Sequence, residues 1–333
     1  MPDPVTDGNE TPQIGSAWVL SDGKAGDENQ CIAVAEALGA PYETRRVSPR
    51  PPFVWFMPRG PIDPRERPSR PQSPIHPPYP DLVIASGRRA APYLRHVRRA
   101  SAGKTMTVFL KDPHTGPETA DFIWVPEHDP LRGPNVLATP TPPHRFSASR
   151  LRELRYFPPA QIARLAKPRV AVLVGGDSRH HHFSDYDVES FGHALEHLGE
   201  TSRLMITLSR RTPSLLADRI SRLATGGPHL LWDGTGENPL AAYLANAEAV
   251  VVTADSTNMV GEAAATGRPV LVYEPSGGHR KISVFLEKMS ALGVTRPFAG
   301  RLETYRYEPI DSTPVIADEI RRRFQARRTG RPE

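Results

Sequence analysis

Asp255, Ser256 and Thr257 follow the apolar run Ala249–Thr253 and open a second run, Thr257–Thr266, closed by Gly267. A strand that delivers such residues to a helix start sets free amides and the positive end of the helix dipole beside an anion. Asn258 and Met259 occupy the first turn, and Glu262 follows within hydrogen-bonding reach of a sugar hydroxyl. The plainer use of these residues is a helix cap at Ser256 or Thr257, with Glu262 in solvent. Gly175-Gly176-Asp177-Ser178-Arg179 ends the run Arg169–Val174. Paired glycines let a ligand approach the backbone, and Ser178 and Arg179 can donate to phosphate oxygens. A tight turn with an exposed arginine is the alternative. His180, His181 and His182 are adjacent, so they cannot all face one ion, and neither a metal site nor a cofactor is expected.

Three loops in the first half are built alike. Asp22-Gly23-Lys24-Ala25-Gly26 lacks the Gly-Lys-Ser/Thr ending of a P-loop, so it is read as holding an acceptor or a phosphate. Ser86-Gly87-Arg88 is placed with it on the acceptor side. In Lys111-Asp112-Pro113-His114 the imidazole titrates near neutrality, which makes Asp112 and His114 the expected general-base pair. Ordinary turn formation around Asp-Pro competes with that role.

Those loops need strands to carry them. Strands are expected at Ile14–Ser21, Asp81–Ala85, Thr105–Leu110, Phe122–Val125, Arg169–Val174, Arg203–Leu208, His229–Trp232, Ala249–Thr253 and Pro269–Tyr273. Helices are expected at Glu28–Leu38, with Asp27 and Gln30 as its capping pair, and at Ala90–Ala100, Asp187–Leu198, Pro213–Leu223, Pro239–Ala245 and Thr257–Thr266. Repeated strand–helix units predict an α/β fold of two Rossmann-like lobes facing a cleft, with chemistry at the carboxyl ends of the strands. The expected division is a disordered segment 1–13, a first lobe 14–165, a second lobe 166–312, and a helix with an Arg-rich tail, 313–333. Twelve prolines between residues 49 and 80 exclude regular helix or central strand there, so this is read as an insertion into the first lobe. Its Phe53, Trp55, Phe56 and Met57 are expected to pack on that lobe, with a membrane surface as the alternative.

The 333-residue chain suits two domains, and no stretch approaches a membrane span. A single cysteine, Cys31, and the lack of an apolar leader point to a cytoplasmic protein. The formal charge of +5 is concentrated in Arg321, Arg322, Arg323, Arg327, Arg328 and Arg331. Either these attract the anionic inner face of a membrane or they form a solvated helix end. No nucleic-acid module is present, and nucleic acid is not an expected partner.

Taken in order, Trp18–Gln30, Ile84–Arg88, Leu110–His114, Val174–Ser178 and Thr253–Glu262 resemble the mitochondrial fission ELM-type family. The resemblance runs from residue 18 to about residue 275 and implies a GT-B-like fold. Residues 255–269 also look like the donor-binding helix of GT-B enzymes. That likeness implies Glu262 on the ribose and Gly176, Ser178 and Ser256 on the diphosphate of a nucleoside-diphosphate sugar. The expected function is a metal-independent glycosyltransferase with a lipid or envelope acceptor. A membrane-associated scaffold without turnover and a nucleotide-sugar epimerase are the alternatives.

Overall fold

The computed structural model describes residues 13–330, so the segment expected to be disordered lies, but for Gln13, outside the described residues, as does Arg331. The chain forms two compact units. The first comprises residues up to Val125, Pro130–Thr139 and the chain from Thr313 onward; the second comprises Pro126–Asp129 and Pro140–Ser312.

In the first unit the chain runs β1 (Ala17–Ser21), α1 (Ala25–Leu38), β2 (Tyr42–Arg46), β3 (Leu82–Ser86), α2 (Ala91–Ala100), β4 (Met106–Leu110), β5 (Phe122–Pro126) and β6 (Val136–Thr139). The six strands are ordered β2-β1-β3-β4-β5-β6, and β1 pairs in parallel with both β2 and β3. β3 and β4 are buried along their whole length, as befits parallel strands covered on both faces. β2 (Tyr-Glu-Thr-Arg-Arg) is an exposed, charged edge strand, the composition that blunts edge pairing, and no apolar run announces it.

The second unit contains α3 (Ala148–Tyr156), α4 (Ala160–Ala163), β7 (Arg169–Val174), α5 (Asp185–Thr201), β8 (Arg203–Leu208), α6 (Ser214–Thr225) and β9 (Leu230–Trp232). It continues through α7 (Leu240–Asn246), β10 (Ala249–Thr253), α8 (Thr257–Ala264), β11 (Val270–Tyr273), α9 (Arg280–Ala291) and β12 (Thr295–Pro297). Its strand order is β12-β11-β10-β7-β8-β9. Renumbered from its own first strand that is 6-5-4-1-2-3, the order of dinucleotide-binding doubly wound sheets. The fold is therefore the α/β arrangement of two Rossmann-like sheets that the loops called for. α3 and α4, although N-terminal to residue 166, pack within this second unit.

Each sheet buries both faces. α1 contributes Cys31, Val34 and Ala35 to one face of the first sheet, where Ile316, Ile320 and Phe324 join them. These three belong to α10 (Thr313–Thr329), which lies along α1. On the other face Tyr93, Leu94 and Val97 of α2 meet Met57 and Ile75 of the proline-rich insertion. Within that insertion only Met57 of the four expected apolar residues is buried: Phe53 is half-buried, and Trp55 and Phe56 are 71% and 62% exposed. A short 3-10 turn at Phe53–Phe56 cannot turn every side chain inward.

The arginines of α10 are engaged on the first unit. Arg321 donates to the carbonyl of Ala37, Arg322 pairs with Glu319, and Arg323 bonds Glu319 and the carbonyl of Pro134. Arg327 reaches Asp121 at 2.9 Å and Arg328 reaches Asp81 at 3.3 Å. Each is matched locally, so the tail is not a bare patch of positive charge. Among the described residues no helix is long and apolar enough to cross a membrane.

Because Phe324 fills the α1 face of the first sheet, Phe324→Ala is expected to lower unfolding free energy by about 3–5 kcal/mol, read by urea denaturation.

Candidate functional site

The strand order of the second sheet reverses between β7 and β10, and the carboxyl ends of these two parallel strands lie side by side there. The Asp255 carboxylate is fully buried between them. Its Oδ2 accepts from the Gly176 amide at 3.1 Å and from Arg211 at 3.2 Å, and its Oδ1 accepts from the Thr253 hydroxyl at 2.7 Å. Thr253 Oγ1 in turn accepts from the Gly175 amide at 2.8 Å. Asp255 is thus committed to the protein, and its charge is matched by Arg211.

The two glycines are explained by the same packing. A Cβ at Gly175 would overlap the Asp255 carboxylate, and one at Gly176 would overlap the Arg211 carbonyl. Both residues are buried, so what crowds their backbone is the protein itself, where the sequence suggested a ligand. Thr212 Oγ1 donates to the Gly175 carbonyl at 2.6 Å, and the Arg211 guanidinium donates to the carbonyls of Gly176 and Asp177. Arg211 and Thr212, in the loop after β8, were not singled out in the sequence. Arg210-Arg211-Thr212-Pro213 reads there as an ordinary polar turn.

Beyond Gly176 the chain folds back on itself. Ser178 Oγ accepts from the amides of His180 and His181, and the Ser178 amide donates to the His181 carbonyl. His181 forms an antiparallel bridge with Gly277 in the loop after β11, and the His180 and His279 rings stand 4.2 Å apart. Desolvation, with His279 and Arg179 close by, holds the His180 imidazolium below its ordinary range. Arg179 is exposed.

α5 and α8 begin differently. Ser184 and Asp187 close the start of α5 in a reciprocal capping box. Ser256 is the N-cap residue of α8 but makes no side-chain cap, which removes the capping explanation for Ser256 and Thr257. Ser256, Thr257, Asn258 and Met259 are half-buried around this start. Further along α8, Glu262 is half-buried and meets no hydrogen-bond or charge partner among the described residues. Desolvation alone pushes its pKa up to about 8.

The first sheet reverses between β1 and β3, which brings Asp22, Gly23 and Lys24 beside Ser86, Gly87 and Arg88. Ser86 is buried and donates to the Leu110 carbonyl, whereas Gly23, Lys24, Gly26 and Arg88 are exposed. Lys24, not Asp27, is the N-cap of α1, and it makes no side-chain cap. The helix begins at Ala25, two residues ahead of Asp27, so Asp27 lies within its first turn and pairs with Lys111 at 2.5 Å. At the end of β4, Asp112 Oδ1 accepts from the His114 amide at 2.7 Å, and its Oδ2 lies 3.4 Å from His114 Nδ1. His114 takes a left-handed φ of 57°. The bond to its amide gives Asp112 a turn-closing role.

With these loops in place, the comparisons with known proteins bear on residues whose positions are fixed. Residues 25–324 match the family model described as Mitochondrial fission ELM1. The chain belongs to this family. It is 28% identical to the mitochondrial fission protein ELM1 of Arabidopsis thaliana over 276 residues, 74% of this chain and 65% of the plant protein. The chain thus spans less than two thirds of that relative's length. An uncharacterized family relative from Rickettsia prowazekii is 24% identical, over 91% of this chain and 97% of its own. Among solved structures, UDP-GlcNAc 2-epimerase from Neisseria meningitidis bound to UDP-GlcNAc aligns at 12% identity, 95% and 93% coverage and a TM-score of 0.47. MurG of Acinetobacter baumannii aligns at 11% identity, 94% and 92% coverage and a TM-score of 0.47.

Two outcomes follow from the second-unit geometry. Asp255→Ala leaves the buried Gly176 amide and Thr253 hydroxyl without their acceptor and is expected to cost about 1–3 kcal/mol in urea unfolding. Glu262 has a folded pKa of about 8 against an ordinary 4.5, so its stabilising contribution is full below pH 4.5 and is lost as pH rises through 8. Glu262→Gln should therefore melt with wild type near pH 4.5 and roughly 2–5 °C above it at pH 8.5.

Proposed function

We propose that the second unit binds a nucleoside-diphosphate sugar and that the protein transfers the sugar to an acceptor. The observation that supports this best is Glu262, a desolvated carboxyl without a partner on a helix whose start carries no side-chain cap. Sugar hydroxyls would supply the donors that Glu262 lacks, and the free amides of α8 would meet a phosphate. Arg179 is exposed at the end of the neighbouring loop and would add positive charge as the diphosphate leaves. Gly175, Gly176 and Asp255 act here by holding that end of the sheet in shape. A nucleotide sugar offers both a diol and a diphosphate, which is the pairing of chemistries that α8 presents.

The test is thermal stabilisation of the purified chain by millimolar UDP-, GDP-, ADP-, CMP- and dTDP-sugars. A donor at a hundredfold excess over Kd stabilises by about 2.7 kcal/mol, a shift of several degrees. One nucleotide is expected to raise the melting temperature, and Glu262→Ala is expected to abolish the effect. Nucleotide release with an altered free sugar would point to epimerisation. A flat response to every donor would overturn the proposal in favour of a scaffold.

A further inference from the structure

The first sheet has a second set of loops, at the amino ends of its strands and opposite to those that follow β1, β3 and β4. The chain entering β3 (Tyr79, Pro80, Asp81), the chain entering β4 (Lys104, Thr105) and the last turns of α10 line a cavity of about 680 Å³. All of these residues belong to the first unit. Three cations face one carboxylate there: Lys104, Arg327 and Arg328 against Asp81. Arg328 reaches Asp81 Oδ1 at 3.3 Å, and Asp81 Oδ2 accepts from the Gly15 amide at 3.0 Å. Arg327 reaches Asp121, which does not line the cavity, at 2.9 Å and donates to the Gly103 carbonyl. Both arginines sit in the last turn of α10, where the negative end of the helix dipole takes up part of their charge. Lys104 is left over.

The Lys104 side chain is exposed, and its ammonium meets no partner among the described residues. Tyr79 is half-buried with its ring edge-on to Trp18 at 6.0 Å, and its hydroxyl likewise meets no partner among the described residues. Burial raises the Tyr79 pKa, so the hydroxyl stays a donor at neutral pH. Arg328 spends one contact on Asp81, and a guanidinium has five N–H donors. A solvated lysine alone would select nothing. Here it shares an enclosed space with two more donors and with the buried Pro80 and Phe324, which offer an apolar wall. The volume lies within the roughly 300–1,000 Å³ of small-molecule sites. A phosphate group has three terminal oxygens for three donors, whereas a carboxylate has two.

We propose that this cavity binds a phosphate monoester, its phosphate on Lys104, Arg328 and the Tyr79 hydroxyl and its organic part against Pro80 and Phe324. The site is separate from α8, so it stands or falls independently of the nucleotide-sugar reading. A soluble ester and a lipid head group present the same phosphate chemistry, and the experiment separates them.

The full chain is titrated calorimetrically with phenyl phosphate, with phenol as the uncharged control. It is also sedimented with phosphatidylcholine vesicles that contain or lack phosphatidic acid. Phenyl phosphate is expected to bind saturably at millimolar concentration or below, more weakly as salt rises, and phenol not at all. Lys104→Ala and Arg328→Ala should each weaken binding roughly 10-fold, and Tyr79→Phe roughly 3-fold. Lys104→Ala should melt with wild type, because it leaves no protein group unmet. Lys167→Ala, which removes an exposed lysine of the second unit, should change nothing. Phenyl phosphate binding that depends on Lys104 identifies a soluble ester. Sedimentation that needs both phosphatidic acid and Lys104, without a response to phenyl phosphate, identifies a lipid head group. Absence of both, or binding that Lys104→Glu leaves at wild-type strength, overturns the proposal.

Discussion

The second unit depends on the Asp255 carboxylate more than on any other single group. A doubly wound sheet leaves a gap where its connections depart in opposite directions, and backbone amides point into that gap. Asp255 fills it by accepting from the Gly176 amide, the Thr253 hydroxyl and Arg211 together. Three loops, after β7, β8 and β10, are thereby tied to one buried anion. The residue types around it follow: glycine at 175 and 176 because nothing larger fits, and arginine at 211 because a buried charge needs a counter-charge. The start of α8 is held by the same knot, two residues beyond Asp255.

The two sheets answer the same topological problem in opposite ways. At the reversal of the second sheet the aspartate is saturated; at the reversal of the first, Asp22 Oδ1 is not. Glu262 meets no hydrogen-bond or charge partner among the described residues, and desolvation favours its neutral form. Buried acceptors left unmet lower stability. The matched pairs around them, such as Asp27 with Lys111 and Glu28 with Arg46, keep the neighbouring loops in place.

Much of this was legible in the residues. β7, β8 and β10 lie within the expected bounds because Arg169–Val174, Arg203–Leu208 and Ala249–Thr253 are uninterrupted apolar runs, the mark of covered parallel strands. β2 and β12 were not, since Tyr42–Arg46 is polar and Thr295–Pro297 is three residues long, and an edge strand needs neither an apolar face nor length. α9 escaped too, because nothing in Gly277-Gly278-His279 signals a helix start until His279 is seen accepting from the Lys281 amide. At the candidate site, the loops were found from their position after strands. The division of labour within them was not, because it turns on contacts between residues far apart in the chain, such as Gly176 with Asp255 and Arg211. Nothing local distinguishes Asp255, which braces a sheet, from Asp22, whose Oδ1 meets no donor among the described residues.

The path of the chain has a consequence for how this protein is made. α10 lies against α1 and supplies Ile316, Ile320 and Phe324 to the core beneath β1 and β3, yet it follows the whole second unit in the chain. On a ribosome delivering residues in order, the second unit can emerge and close its own cores while one face of the first sheet still lacks its cover. The earlier half of the chain is therefore the later to be finished. During that interval the apolar surface around Val34, Leu82 and Val108 is open to whatever else is in reach. That exposure lasts as long as the second unit takes to translate.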